Sequence, residues 1–204
     1  GGSAANAFLT GVAASKAGAW AVGTSAPKNI YGTVVLALQR GKWRQLKSPN
    51  PSGLGNFLNA VSVSGRHVLA GGFGGYDNPV AARTLVVHLK GTAVPLDKTP
   101  NPGVPGAANE LYGVAATSTG GWAVGRTIAQ TMILHETAGH WKQVASPSWP
   151  SPATSLLEGV TAVGTTAWAV GQYTGLVSPT MSATYSLILR WTGSNWVRTP
   201  SPNR

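Results

Sequence analysis

Five residues, AWAVG from Ala19 to Gly23, return as GWAVG from Gly121 and as AWAVG from Ala167. Aligning the chain on Val12, Val61, Val114 and Val160, which are 49, 53 and 46 residues apart, shows four copies rather than three. Leu stands three positions before each anchor, at Leu9, Leu58, Leu111 and Leu157, and a small residue one before it, at Gly11, Ala60, Gly113 and Gly159. Eight positions after it come Trp20, Leu69, Trp122 and Trp168, and eleven after it Gly23, Gly72, Gly125 and Gly171. A repeat of this size cannot bury its own apolar face, so neighbouring copies must stack, and that requirement constrains the architecture before any single residue is interpreted.

The rest of each copy agrees. An aliphatic run begins at Thr33, Thr84, Thr131 or Ser186, and a turn Gly follows at Gly41, Gly91, Gly139 or Gly193. Next comes Trp43, Val94, Trp141 or Trp196, and a Ser/Thr-Pro pair ends the copy at Pro49, Pro100, Pro147 or Pro200. Proline has no N–H for a ladder, so it ends a strand and starts a connection. Each copy thus reads as four short antiparallel strands. Four such units in tandem predict an all-β fold, a four-bladed β-propeller with four antiparallel strands per blade. The whole of 1–204 is then one domain, with blades at about 8–52, 57–103, 111–150 and 156–202. Trp20, Trp122, Trp168, Trp43, Trp141 and Trp196 are its expected structural residues, the first three wedging neighbouring blades together.

The pattern L-x-G-V-A-A…W-A-V-G…ILHW-x-G-x-W…SP-x-P resembles a family of secreted bacterial β-propeller repeat proteins common in actinobacteria, over residues 8 to 202. The resemblance implies the repeat and the fold, and brings no catalytic residue with it. The second copy departs most, with Leu69 and Val94 in place of Trp.

Composition supports the same class. Only 10% of the 204 residues are charged, while 27 Gly and 14 Pro suit many short strands joined by turns. The absence of Cys excludes disulfides, thiolate metal sites and a Cys nucleophile. No apolar run approaches the roughly 20 residues of a membrane span, so a soluble chain without membrane insertion is expected. GGSAANAF carries no leader pattern, and the low charge with abundant Ser, Thr, Asn and Gly points to a secreted, extracellular protein. The net charge of +10 is scattered apart from Arg40, Lys42, Arg44 and Lys47, which favours a solvated rim over a nucleic-acid surface.

In an up-and-down blade, successive connections alternate between two faces. One face has constant spacing. On the other, the loops 24–32, 73–83, 126–130 and 172–185 differ, with 9, 11, 5 and 14 residues. Variable loops on a rigid scaffold are where repeat proteins place binding residues. Tyr76, Asp77, Asn78, Gln172 and Tyr173 lie in them, Trp149 joins the same face, and Glu158 stands at the mouth of the axial channel. Aromatic faces beside amides and carboxylates suit sugars. The expected function is therefore a non-catalytic, lectin-like binding module for a glycan or cell-surface polysaccharide. The alternatives are an assembly subunit contacting a protein partner or its own copies, and a glycan-cleaving enzyme using Asp77, Glu110 or Glu158.

Neither a cofactor nor a metal is expected. His88 and His135 occupy equivalent places in different blades, His67 begins a strand of the second copy, and His140 sits in a turn. No Ser lies in a G-x-S-x-G elbow.

Overall fold

Each repeat folds into one antiparallel sheet. The computed structural model describes residues 6–27, 30–75, 82–147, 153–178 and 180–202, and within them the chain is all-β. Sheet 1 holds β1 (Asn6–Ser15), β2 (Gly18–Ala26), β3 (Gly32–Gln39) and β4 (Lys42–Leu46). Sheet 2 holds β5 (Asn56–Ser64), β6 (His67–Gly74) and β7 (Arg83–His88). Sheet 3 holds β8 (Asn109–Ala116), β9 (Gly120–Thr127), β10 (Gln130–Thr137) and β11 (His140–Val144). Sheet 4 holds β12 (Thr154–Val163), β13 (Thr166–Ser178), β14 (Met181–Trp191) and β15 (Trp196–Thr199). In every sheet the strands lie in chain order, and among the described residues no helix is long and apolar enough to cross a membrane.

Among the described residues the expected fourth strand of sheet 2 is not formed. Only the bridges Val87 to Leu96 and Lys90 to Ala93 stand in its place. Pro95 explains this locally: it accepts from the His88 N–H through its carbonyl but has no N–H to return.

The Gly of the WAVG motif is required by a bulge that all four sheets share. The first strand shifts register between Leu9 and Gly11, Leu58 and Ala60, Leu111 and Gly113, and Leu157 and Gly159. The shift presses a main-chain carbonyl against the partner Gly. A Cβ at Gly23, Gly72 or Gly125 would lie 1.9 Å from the oxygen of Phe8, Phe57 or Glu110, and one at Gly171 would lie 2.1 Å from that of Leu156.

The Ser/Thr-Pro ending has an equally specific use. Hydroxyl pairs join the start of each third strand to the end of its repeat: Thr33 with Ser48 (2.6 Å), Thr84 with Thr99 (2.8 Å), Thr131 with Ser146 (2.5 Å) and Ser186 with Ser201 (2.5 Å). In the first three copies the Thr hydroxyl also donates to the carbonyl of Pro49, Pro100 or Pro147. The Asn after the Pro accepts from the main chain in two of them, Thr33 N–H to Asn50 and Thr84 N–H to Asn101.

Successive sheets pack face to face through three apolar clusters. Val22, Val35 and Leu46 of sheet 1 meet Leu58, Leu85 and Val87 of sheet 2. Leu69 and Val86 of sheet 2 meet Leu111, Met132 and Trp141 of sheet 3. Trp122, Val124 and Ile133 of sheet 3 meet Leu157, Leu187, Leu189 and Trp196 of sheet 4. Among the described residues no comparable packing joins sheet 4 to sheet 1, so the four sheets do not close on themselves. The repeats alone leave open whether four blades close by themselves or only within a larger assembly, and the four sheets are not closed.

Candidate functional site

The open row of sheets leaves one face at each end without a partner, and the repeat alignment shows what is missing. Leu58, Leu111 and Leu157 face the preceding sheet and are fully buried at 0%, whereas Leu9, in the same place, is 59% exposed. Val12 is 71% exposed where Val114 is buried, and Trp43 is 48% exposed where Val94, Trp141 and Trp196 are buried. Leu9, Val12, Ala21, Leu36 and Trp43 line a hollow of about 550 Å³. At the far end Trp168 and Val170 are exposed, although Trp122 and Val124 are buried at the equivalent places against sheet 4. Of the six expected structural tryptophans, Trp122, Trp141 and Trp196 are buried and Trp20 is half-buried, while Trp43 and Trp168 stand at the two free ends.

Polar contacts follow the same progression. The Thr10 hydroxyl donates to the Leu58 carbonyl at 2.6 Å, and the Asn59 amide donates to the Leu111 carbonyl at 2.7 Å. The series then changes chemistry. Tyr112 turns its hydroxyl to the carboxylate of Glu110, which also accepts from Arg126 Nε at 2.7 Å. Burial, reinforced by that hydrogen bond, pushes the Tyr112 phenol well above its ordinary pKa. Glu158, next in the series, is exposed on sheet 4.

On the face of unequal connections, Tyr76, Asp77, Asn78 and Trp149 lie outside the described residues. The segment 172–185, expected as a loop, is mostly strand: β13 and β14 continue their pairing through Tyr173 with Tyr185 and Gly175 with Ala183 as far as Ser178 with Met181. The result is a projecting hairpin with Leu176, Val177 and Met181 exposed. Tyr173, Thr174 and Val177 on one side and Thr184 and Tyr185 on the other are strand-favouring residues that suit the longer ladder, which a scan for turn residues overlooks. Tyr173 stacks on Tyr185 with centroids 5.1 Å apart, and Arg198 lies over its ring while donating to its hydroxyl. Gln172 is exposed and, with Arg126, Thr154, Ser155 and Thr174, lines a small hollow of about 140 Å³. Gln172, Tyr173 and Glu158 are therefore on sheet 4, with Tyr173 engaged by its neighbours.

A different group of side chains converges at the opposite end of the sheets, beside the turns of constant length. His67 opens β6, His88 closes β7, and Glu136 is on β10 of the next sheet. One ligand atom from each of the three lies within 4.8 Å of the other two. The two Nε2 atoms are 2.7 Å apart; His67 Nε2 is 3.7 Å from Glu136 Oε2 and His88 Nε2 is 3.5 Å from Glu136 Oε1. Burial works against charge on His88, yet the Asp97 hydrogen bond and the charges of Asp97 and Glu136 raise its pKa above the ordinary histidine value. Sequence reasoning compared His88 with its equivalent, His135, which instead stacks on Trp122 at 3.8 Å. The missed signal was within the second copy. Where Leu69 stands in place of the Trp122 type of ring, His67 supplies the ring that His88 meets, edge to edge, with centroids 4.8 Å apart.

No protein-family model matches this sequence, and no curated protein matches it either.

Proposed function

We propose that this chain is a non-catalytic assembly module of β-propeller type, whose end faces join those of a second copy. The observation that carries the reading is the contrast between Leu9 and its three buried equivalents. Each internal contact joins a Leu-bearing face to a face carrying Trp or Leu at the WAVG position, and the free ends present one face of each kind. A contact between unlike faces closes when its rotation divides the circle. Two copies joined end to end in this way place eight sheets round one axis, within the range of known propellers.

The test is the mass of the chain in solution. A dimer is expected, reduced to monomer by Val12→Asp and by Val170→Asp, with strand content unchanged in each. A parent chain that stays monomeric at high concentration overturns the reading.

The hollow beside Gln172, where Arg126, Thr154 and Thr174 stand next to Ile128 and Leu156, favours a second reading, recognition of a hydroxyl-rich glycan. Polysaccharide binding that is lost in Gln172→Ala supports it, and an unreactive glycan array removes it.

A further inference from the structure

We infer that His67, His88 and Glu136 form a divalent transition-metal site, best matched to Zn²⁺, that clamps sheet 2 to sheet 3. The outer hydrogen bonds of the two imidazoles fix which nitrogens face the centre. His67 Nδ1 is 2.8 Å from the main-chain carbonyl of Thr117, and His88 Nδ1 is 2.6 Å from the Asp97 carboxylate. Both partners are acceptors only, so both Nδ1 atoms are assigned as donors. Asp97 is itself held by the Trp141 indole N–H at 2.8 Å. Each neutral imidazole then turns the lone pair of Nε2 inward, and two lone pairs meet at 2.7 Å. Such an arrangement needs a cation between them.

A shared proton would relieve the two nitrogens and set a positive charge 3.5–3.7 Å from the carboxylate, but it would give Glu136 Oε2 no hydrogen bond. Glu136 is 5% exposed, and its Oε2 is buried with no hydrogen-bond partner among the described residues. A bare carboxylate oxygen in that setting is costly unless a positive charge satisfies it. A metal ion bound by both Nε2 atoms and the carboxylate satisfies all three groups at once.

The outer contacts match those that usually orient metal-binding histidines, a carboxylate or a carbonyl on the far ring nitrogen. Two imidazoles and a carboxylate suit Zn²⁺, which is bound at about 2.0–2.1 Å in tetrahedral geometry. Donors in such a centre are about 3.3 Å apart. The two contacts to Glu136, at 3.5 and 3.7 Å, are made by its two different oxygens, and one of these must turn toward the ion to serve as the third donor. The nitrogens need to part by about 0.6 Å, and each imidazole must turn by about 35° so that both lone pairs point to one ion. Three protein donors leave one position for water. Because two ligands belong to sheet 2 and the third to sheet 3, the ion adds a further tie between two units that already meet through apolar packing and hydrogen bonds such as Asn59 to Leu111.

The test uses the full chain, free of any histidine tag and stripped with a chelator, titrated with ZnCl₂ by calorimetry and thermal unfolding. One Zn²⁺ per chain is expected, with a midpoint that rises on addition and returns with EDTA. Glu136→Gln and His88→Ala should each weaken binding at least about tenfold, and Asp97→Asn should weaken it by about 10–100-fold. No saturable uptake by the parent chain overturns the site, as does uptake unchanged in the His67→Ala, His88→Ala double variant. Should the variants not fold, Co²⁺ added to the parent gives an independent answer: a tetrahedral absorption spectrum supports the site, and that of hydrated octahedral Co²⁺ overturns it.

Discussion

Leu9 and Leu58 hold the same position in adjacent repeats, and the first is largely in solvent while the second is wholly enclosed. They share type, strand position and flanking bulge. What differs is a neighbouring sheet. Leu58→Ala should therefore destabilise the chain by about 2–5 kcal/mol, through lost transfer energy and the cavity left behind. Leu9→Ala should cost under about 1 kcal/mol at concentrations where the chain is monomeric. Denaturant unfolding of both variants measures the contrast, and equal costs would show that the face of β1 is already covered.

Salt should promote association of the chain. A net charge of +10 on each copy opposes their approach, while the ends that meet are apolar. Sedimentation across ionic strength is expected to show tighter association from about 0.05 to 0.5 M salt. Weakening over that range would point to an ionic contact elsewhere.

Gly125→Ala should cost at least about 3 kcal/mol, or prevent folding, because the new methyl would meet the carbonyl oxygen of Glu110. Gly175, in the projecting hairpin, has nothing within 4 Å of an added Cβ. Gly175→Ala should stay within about 0.5 kcal/mol of the parent. Thermal melts of the pair compare the two directly.

Thr131→Val removes a buried hydroxyl that bridges Ser146 and the carbonyl of Pro147. The expected loss is about 0.5–1.5 kcal/mol, the net value of a hydrogen bond whose carbonyl acceptor is half-buried. Ser186→Ala, at an exposed copy of the same link, should cost less than about 0.5 kcal/mol. Similar losses for both would mean that burial does not control the strength of the link.

The repeat was legible because strand breaks and apolar offsets recur with the same residues. Trp122, Gly125 and Pro147 mark a strand, a bulge and an ending by chemistry that acts locally. Whether the row closes was not legible, because closure depends on the rotation between sheets, and no residue type encodes that angle by itself. The expected fourth strand of sheet 2 failed at Pro95, whose missing N–H outweighs the homology of its surroundings. The approach of Glu136 to His67 and His88 was hidden for another reason. Comparing equivalent positions between repeats highlights what they share, and this cluster is built from residues at non-equivalent positions, in the copy that diverges most.

The hydroxyl link between the start of the third strand and the end of each repeat has a consequence for how the chain comes apart. Each repeat fastens its own last segment, using groups that lie within about one unit of sequence. A sheet pulled from the row thus keeps its internal fastening and gives up only the contact with its neighbour. Unfolding under mechanical load should accordingly proceed in steps, one sheet at a time from a free end, with the step length set by a single repeat.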